Sequence, residues 1–397
     1  MLHHPAQLIG FLLFIEVLVL YLAGHQRSQK YFNFLPAVFW IYFLPMIAST
    51  VGIIDSKSPI YSEIAKHLLP ASLLLLLLSV DIKAIFKLGK TALLMFFVGS
   101  AGIILGAPVV FFLFKHWAGP QSWSGFGALS ASWTGGSANM IAVKEALAVP
   151  DSVFLPMVVV DTVVPYVWMG ILVALAGFQN VYDRMNRSDR SVLEDLSQRI
   201  SKSIPEPGHA SQSVGRRIHW KSALIFLIFA VAGSKAASFL AQFLPEIKGI
   251  ISTYAWEIIV VTFLGIFLSL TPARKLERFG SNRFGYFLLY FVLTTIGARA
   301  VIAHIGSSLI LIAAGFVLVA IHAILLLAVS RWLKIPLFLA AVASQANIGG
   351  VASAPVVAEI YQPGLASVGL SLAILGNIVG TYFGILAGQL CRWVGGG

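Results

Sequence analysis

The sequence has few charged residues and almost no cysteine. Of its 397 residues, 11% are charged and 58% are apolar, whereas a soluble domain carries about 25% charged residues. This composition excludes a soluble globular domain. The single cysteine, Cys391, excludes an intrachain disulfide and a cysteine-based zinc site, and no two histidines have i, i+4 spacing. We therefore expect no bound metal.

Long apolar runs recur along the whole sequence, and each is long enough to cross a bilayer. They predict an all-α, polytopic membrane protein with about 11–13 transmembrane helices. The first run contains Glu16 and has no Lys or Arg before it, which is typical of a retained span rather than a secretory signal. The candidate spans are residues 7–24, 32–54, 62–80, 91–116, 122–148, 151–178, 220–244, 249–270, 284–303, 306–330, 334–360 and 364–391.

The basic residues lie mainly between the apolar runs. The net charge of +11 therefore reports membrane topology, and nucleic acid is not an expected partner. One long polar segment, 179–220, is rich in Arg and Lys and is predicted to be a cytoplasmic linker. It divides the chain into a first transmembrane repeat, 1–178, and a second, 221–397.

The two halves contain an internal repeat. Residues 130–174 align without a gap with residues 344–388, at a constant offset of 214 residues, and nine positions are identical. The identical positions include two glycine pairs, Gly135 with Gly136 and Gly349 with Gly350. We therefore predict two structural repeats.

Each glycine pair lies in the middle of an apolar span, among small polar residues. Glycine lowers helix stability by about 1 kcal/mol relative to alanine, and unwound backbone persists at membrane depth only where protein or water satisfies it. Paired broken helices of this kind are typical of a transporter binding site. Close helix packing through small residues is the competing interpretation, and two pairs in register favour broken helices.

Two sequence blocks carry a family resemblance. SASWTGGSANM is followed by a span with VVVDTVVPY, and SQANIGGVASAP is followed by GLSLAILGNIVGTYFGILAG. These blocks resemble the YjcL-like family, bacterial and plastid membrane proteins grouped as a domain of unknown function, over nearly the whole chain. More distantly, the layout is similar to bile acid/sodium symporters, glutamate/sodium symporters and sodium/proton antiporters, in which inverted repeats supply two broken helices that cross at mid-membrane.

The resemblance implies a core domain with the broken helices and a separate panel domain. The core would be drawn from residues 91–178 and 306–391. We expect a multi-pass protein of the bacterial inner membrane that is surrounded by lipid, and a homodimer is compatible with the sequence.

Asp161 is the strongest single-residue signal, because it lies alone in the apolar stretch MVVVDTVVPYVWMG. A charged side chain at the centre of a membrane helix costs about 2.5 to 3.5 kcal/mol on insertion scales unless a cation, water or donor offsets it. We predict that Asp161 binds a cation or proton, with Thr162, Ser137 and Asn377 as further oxygen ligands. The alternative is a carboxylate satisfied by a neighbouring helix.

Uncharged amides and hydroxyls surround the glycine pairs. If the two breaks meet, half-helix N-termini would favour an anionic ligand, and Asn139, Gln345, Asn347 and Ser353 are predicted to bind it. The alternative is helix-to-helix hydrogen bonding, worth about 0.6 kcal/mol per contact.

Two transport functions fit these features. The first is a secondary active transporter that couples sodium or proton movement to a small, anionic organic solute by moving the core against the panel. The alternative is a cation/proton antiporter without an organic substrate. A membrane-embedded enzyme is disfavoured because the HExxH motif and a second deeply placed aspartate are absent. We expect no cofactor, apart from sodium as a coupling ion.

Overall fold

The structure is a computed structural model that describes residues 2–25, 28, 32, 37–119, 121–189, 191–201, 220–246, 252–299 and 308–396. These residues form helices and contain no strand beyond a bridge between Leu2 and Ile54. Seven of the described helices are long and apolar enough to cross a membrane, or up to eight if a bent pair counts as one span. The prediction of an all-α, polytopic membrane protein is confirmed.

The described helices follow one another with short connections. In chain order they are α1 (Pro5–Ala23), α2 (Ala37–Thr50), α3 (Ile60–Leu78), α4 (Ile82–Phe86), α5 (Gly89–Ala118), α6 (Ser122–Gly135), α7 (Ser137–Ala146), α8 (Asp151–Ala176), α9 (Gln179–Asn186), α10 (Ser191–Ser201), α11 (Trp220–Ala241), α12 (Thr253–Ser269), a 3-10 helix (Pro272–Phe279), α13 (Ser281–Arg299), α14 (Ser308–Trp332), α15 (Leu337–Ile348), α16 (Gly350–Tyr361) and α17 (Ala366–Gly395).

Two compact units make up the chain, and each draws on both halves of the sequence. Unit 1 consists of Met1–Ser79, Val149–Thr162 and Trp220–Ser308. Unit 2 consists of Val80–Ala148, Val163–His219 and Leu309–Gly397. The expected core domain therefore falls largely in unit 2, but its segment Val149–Thr162 belongs to unit 1. The division into 1–178, 179–220 and 221–397 follows chain order and stays a prediction.

Unit 1 is built around α3, which contacts α11, α12 and α13. The leucine run at residues 73–78 is buried except for Leu76, which is half-buried. Each contacting helix places a glycine against this run, namely Gly233 of α11, Gly265 of α12 and Gly285 of α13. Because a glycine has no side chain, each helix approaches the leucines of α3 closely, as is common in membrane proteins.

Direct backbone packing between α6 and α17 holds unit 2 together. Glycines recur every fourth residue along α17 and so lie on one face of that helix. They pack against small residues of α6. The contact consists of Gly376, Gly380, Gly384 and Gly388 of α17 and Gly127, Ala131 and Gly135 of α6. A Cβ atom added to Gly380 would lie only 2.6 Å from Gly135 Cα. The two backbones are therefore in contact, and a methyl group does not fit between them.

Candidate functional site

The first helix break lies at Gly136. Helix α6 ends at Gly135 and α7 begins at Ser137, and Gly136 adopts a φ of 84°. This left-handed conformation is costly for residues with a Cβ atom, which explains the glycine. Asn139 bridges the break and α17. Its Nδ2 donates to the Gly135 carbonyl at 2.6 Å, and its Oδ1 accepts from the Thr381 hydroxyl of α17.

The second break lies at Gly349 and Gly350. Helix α15 ends at Ile348, and Gly350, at the start of α16, has a φ of 64°. Across the break, Gln345 Nε2 donates to Ser353 Oγ at 2.7 Å. A Cβ atom at Gly349 would collide with the ends of both of these side chains, so a larger residue here would displace their hydrogen bond.

The two breaks correspond in the internal repeat. Gly136 and Gly350 are separated by the repeat offset of 214 residues, and both have positive φ. Both breaks lie in unit 2, and the helices that precede them, α6 and α15, contact each other. Unit 2 therefore contains two helix interruptions, one from each half of the sequence, and each includes a glycine with positive φ.

Asn347 and Ser344 of α15 belong to a hydrogen-bond network that connects four helices of unit 2. Asn347 Nδ2 donates to the Phe96 carbonyl of α5 at 3.1 Å, and its Oδ1 accepts from the Ser100 hydroxyl at 2.7 Å. Ser344 Oγ accepts from Trp168 Nε1 of α8 at 2.9 Å. All four of these residues on α15 and α5 are buried.

His322 of α14 completes this network. Its Nδ1 lies 2.8 Å from the Gly99 carbonyl, and its Nε2 lies 2.9 Å from Ser344 Oγ. Because a carbonyl only accepts, Nδ1 carries the proton, and Nε2 then accepts from the Ser344 hydroxyl. A continuous chain runs from Trp168 through Ser344 and His322 to Gly99, and every polar group in it is satisfied.

Three buried polar atoms near the breaks have no hydrogen-bond partner among the described residues. They are Ser130 Oγ and Trp133 Nε1 on α6 and Gln345 Oε1 on α15. Buried polar groups are normally paired. A ligand or water beside the breaks could supply the partners that these three atoms lack. Together they offer acceptors and at least one donor beside the breaks.

The sequence matches a known protein family over almost all of its residues. A family model described as "Protein of unknown function (DUF819)" matches residues 10–394. The chain belongs to the DUF819 family. It is similar to the uncharacterized membrane protein YjcL of Bacillus subtilis (strain 168), with 26% identity over 358 residues, which are 85% of this chain and 86% of YjcL. The resemblance to the YjcL-like family is confirmed, and this DUF819 protein is a multi-pass membrane protein.

The predicted cation ligands of this DUF819 protein are divided between the units. Asp161 and Thr162 belong to unit 1, and Thr162 Oγ1 donates within α8 to the Val158 carbonyl at 2.8 Å. Ser137 and Asn377 belong to unit 2. Ser137 begins α7, and a methyl group on Gly136 would lie 3.4 Å from Asn377 Oδ1. Ser137 and Asn377 therefore both lie at the first break, and the four-residue cation site stays a prediction.

The predicted substrate ligands also differ from one another. Asn139 and Asn347 have their amides engaged with other helices of unit 2, which matches the helix-packing alternative for these two residues. Gln345 and Ser353 lie on opposite sides of the second break and bond to each other. Of the four residues, Gln345 retains a buried oxygen without a hydrogen-bond partner among the described residues.

The first part of the linker in this DUF819 protein docks on the start of the second broken helix. Asp183 of α9 is buried, and its Oδ1 accepts from the Leu337 amide at 2.9 Å, at the N-terminus of α15. Asn186 Nδ2 donates to the carbonyl of Ser330, near the end of α14, and to that of Ile335, in the turn before α15. A carboxylate at a helix N-terminus is electrostatically favourable. Helix α9, at the start of the predicted linker, is therefore packed into unit 2.

The next linker helix of the DUF819 chain, α10, is capped by Asp189. Its Oδ1 accepts from the Ser191 amide at 3.0 Å and from the Ser191 hydroxyl at 2.7 Å. Both bonds favour the ionised carboxyl, so they lower the pKa of Asp189 below its ordinary value. The Asp189 backbone amide also donates to the Lys334 carbonyl at 2.9 Å, which ties this cap to the turn before α15.

Several residues that organise the DUF819 site gave little signal in the sequence. Trp168, Ser100 and Thr381 occur among many similar residues of apolar spans, and only long-range contacts give them a role. His322 was noticeable as a histidine inside an apolar run. Its fixed position between α5 and α15 depends on packing that no local pattern reports.

Proposed function

We propose that this DUF819 protein is a secondary active transporter that couples sodium or proton movement to a small, anionic organic solute. The observation that supports this function best is the pair of helix breaks at Gly136 and Gly350, at corresponding repeat positions inside unit 2. Irregular backbone at membrane depth is tolerated where it is buried in protein or lines a cavity. Transporters commonly build substrate and ion sites from such discontinuous helices.

The preference for an anion follows from the helix ends. New helices begin at Ser137 and at Gly350, and the first amides of a helix lack intrahelical acceptors. Each such terminus carries about half a positive charge, which attracts a carboxylate or another anion. The carbonyls that end α6 and α15 carry the opposite partial charge and suit a cation.

Gln345 is the residue that we assign first to the solute. Its Nε2 is held by Ser353, which orients the side chain across the break, while its Oε1 remains unpaired and buried. An unpaired amide oxygen can accept a hydrogen bond from a solute hydroxyl or amide without the cost of a buried charge. Asn139 and Asn347 would then support the breaks rather than contact the solute.

Coupling in this proposal depends on Asp161 and on movement of unit 2 as a body. Asp161, with Thr162, would bind the coupling cation or proton, and unit 2 would move relative to unit 1 in an elevator-type cycle. Such a transporter needs neither an enzyme activity nor a resident cofactor. We also propose that the protein resides in the bacterial inner membrane, where it can assemble as a homodimer.

The alternative function, a cation/proton antiporter without an organic substrate, is favoured by one observation. An antiporter is expected to use more than one membrane-embedded ionisable group. Besides Asp161, Glu16 of α1 is fully buried, and both of its carboxyl oxygens lack a hydrogen-bond partner among the described residues. The two functions differ in whether an organic anion binds.

A thermal-shift screen of Gln345→Ala tests the solute site. The purified parent is heated in sodium, in lithium and at several buffer pH values. Each condition is combined with small carboxylates, amino acids and cell-wall fragments. A ligand of the folded state raises stability by RT ln(1 + [L]/Kd). For the solute that shifts the parent, Gln345→Ala is expected to bind more weakly by about 1 to 3 kcal/mol, since its partner group loses a hydrogen bond.

The matched control for this screen is Ser72→Ala in unit 1. Its hydroxyl is buried and, among the described residues, bonds only to the Leu69 carbonyl of its own helix, so the variant should keep the full solute shift. If Gln345→Ala also keeps the full shift, the solute does not bind at the second break. If sodium or protons stabilise the parent and no organic solute does, the antiporter alternative replaces the symporter.

A further inference from the structure

Glu16 lies on the buried face of α1 in unit 1. That face consists of Leu8, Leu12, Ile15, Glu16 and Val19, at helical spacing. The helix packs against α2 and α13. Glu16 is 0% exposed, and neither carboxyl oxygen has a hydrogen-bond partner among the described residues. It is therefore an acid in an apolar contact between helices.

An ionised carboxylate in this position would be very costly. A buried charge without a counter-ion or donors is strongly disfavoured relative to the neutral form, and ionisable residues inside membrane helices default to functional roles. A buried polar group without a partner calls for an explanation, such as an ion, a proton or water. The remaining question is which of these Glu16 binds.

The titratable groups around Glu16 are phenols. On α13, Tyr290 interacts electrostatically with Glu16, and the ring of Tyr286 lies 5.9 Å from that of Tyr290. On α2 the titratable residue is Tyr42, whose electrostatic partners are Asp151 and Arg299. No described cation pairs with Glu16.

A proton fits this environment better than a metal cation. A hard cation such as sodium needs several oxygen ligands, whereas the neighbours of Glu16 along α1 are Leu12, Ile15 and Val19. A proton needs only the carboxyl oxygen that it binds. We propose that Glu16 is an intramembrane proton-binding site in unit 1, whereas the helix breaks belong to unit 2.

This inference does not rest on the proposed function, because Glu16 can bind a proton whether or not the protein transports a solute. It can therefore be tested without a known substrate. The full-length protein in membranes is treated with the lipophilic reagent dicyclohexylcarbodiimide. The protonated carboxyl gives its proton to a carbodiimide nitrogen while its oxygen bonds to the central carbon, and the acyl group then migrates to nitrogen. The product is a stable N-acylurea that retains the whole reagent.

Peptide mass spectrometry then gives the labelled fraction at residue 16. We expect strong labelling at acidic and neutral pH. At strongly alkaline pH the acid ionises, and labelling should fall by at least about tenfold, since one pH unit corresponds to a tenfold change in the protonated fraction. A water-soluble carbodiimide should not label Glu16. Glu63 is the control acid, since its side chain is 61% exposed and pairs with His67, and it should react with the water-soluble reagent. Glu16→Gln, which is neutral and similar in shape, should fold and lose the label at this peptide alone.

Two results would overturn the inference. One is an unlabelled Glu16 at every pH in a sample whose Glu63 reacts normally. The other is protection of Glu16 by sodium at constant pH and ionic strength, which would identify a metal cation as the ligand. Labelling of the parent protein decides the question even if Glu16→Gln fails to fold.

Discussion

Gly380→Ala is expected to destabilise the protein strongly, and Gly380→Leu is expected to prevent folding. A Cβ atom at Gly380 would lie 2.6 Å from Gly135 Cα and 2.9 Å from Gly135 N, and both are backbone atoms that cannot rotate away. Overpacking of a tight interior typically costs about 1 to 3 kcal/mol, and more when backbone must move. The melting temperature of detergent-solubilised protein, followed by size-exclusion chromatography after heating, measures the effect.

Gly170→Ala in α8 is the matched control. Its added methyl group would have nothing within 4 Å, and alanine is the better helix former by about 1 kcal/mol, so the melting temperature should stay the same or rise. Equal melting temperatures for Gly380→Ala and the parent would show that α6 and α17 do not pack backbone to backbone.

Asn347→Ala is expected to lower the free energy of unfolding by about 1 to 3 kcal/mol or more, the cost of leaving buried groups unsatisfied. The substitution removes the donors to the carbonyls of Phe96 and Ala343 and the acceptor of the Ser100 hydroxyl. Denaturation of the purified protein, followed by intrinsic tryptophan fluorescence, gives the difference.

Ser100→Ala separates the contributions of this network. It removes one bond to Asn347 and leaves the bonds to the Phe96 and Ala343 carbonyls in place, so it should cost less than Asn347→Ala. The double variant should then be less destabilised than the sum of the two single variants, because the residues share an interaction. Strict additivity would mean that Asn347 and Ser100 do not contact each other in solution.

The helix breaks could be predicted from the sequence because their cause is local. Two adjacent glycines in an apolar span disfavour a continuous helix, and their recurrence at one offset made both positions predictable. What was not predictable is that Gly135 has a packing role while Gly136 has a conformational one. The two interpretations of the glycine pairs, a break and close packing, therefore both apply, at neighbouring residues.

The division into units was only partly predictable. Residues 91–178 were expected to lie together, but α8 changes unit between Thr162 and Val163 without any interruption of the helix. Such a boundary depends on which helices pack against each part of α8, and no local pattern records it. The docking of α9 through Asp183 was missed for the same reason, since its partner, Leu337, is distant in the sequence.

The roles of the amides depend on long-range contacts as well. The sequence places Asn139, Gln345 and Asn347 near the glycine pairs with equal claim to bind a solute. The structure engages Asn139 and Asn347 with α17 and α5 and leaves Gln345 Oε1 unpaired. Burial and geometry, rather than residue type, distinguish a structural amide from a candidate ligand.

Coupled uptake into proteoliposomes tests whether the protein is a secondary active transporter. The solute that gives the largest thermal shift is supplied in labelled form, with an imposed inward gradient of sodium or of protons. We expect accumulation above the external concentration with one of the two gradients, its collapse on addition of the matching ionophore, and loss of accumulation in folded Asp161→Asn protein. Uptake that never exceeds equilibrium under either gradient would contradict secondary active transport, and unchanged accumulation in Asp161→Asn would remove that carboxyl from the coupling mechanism.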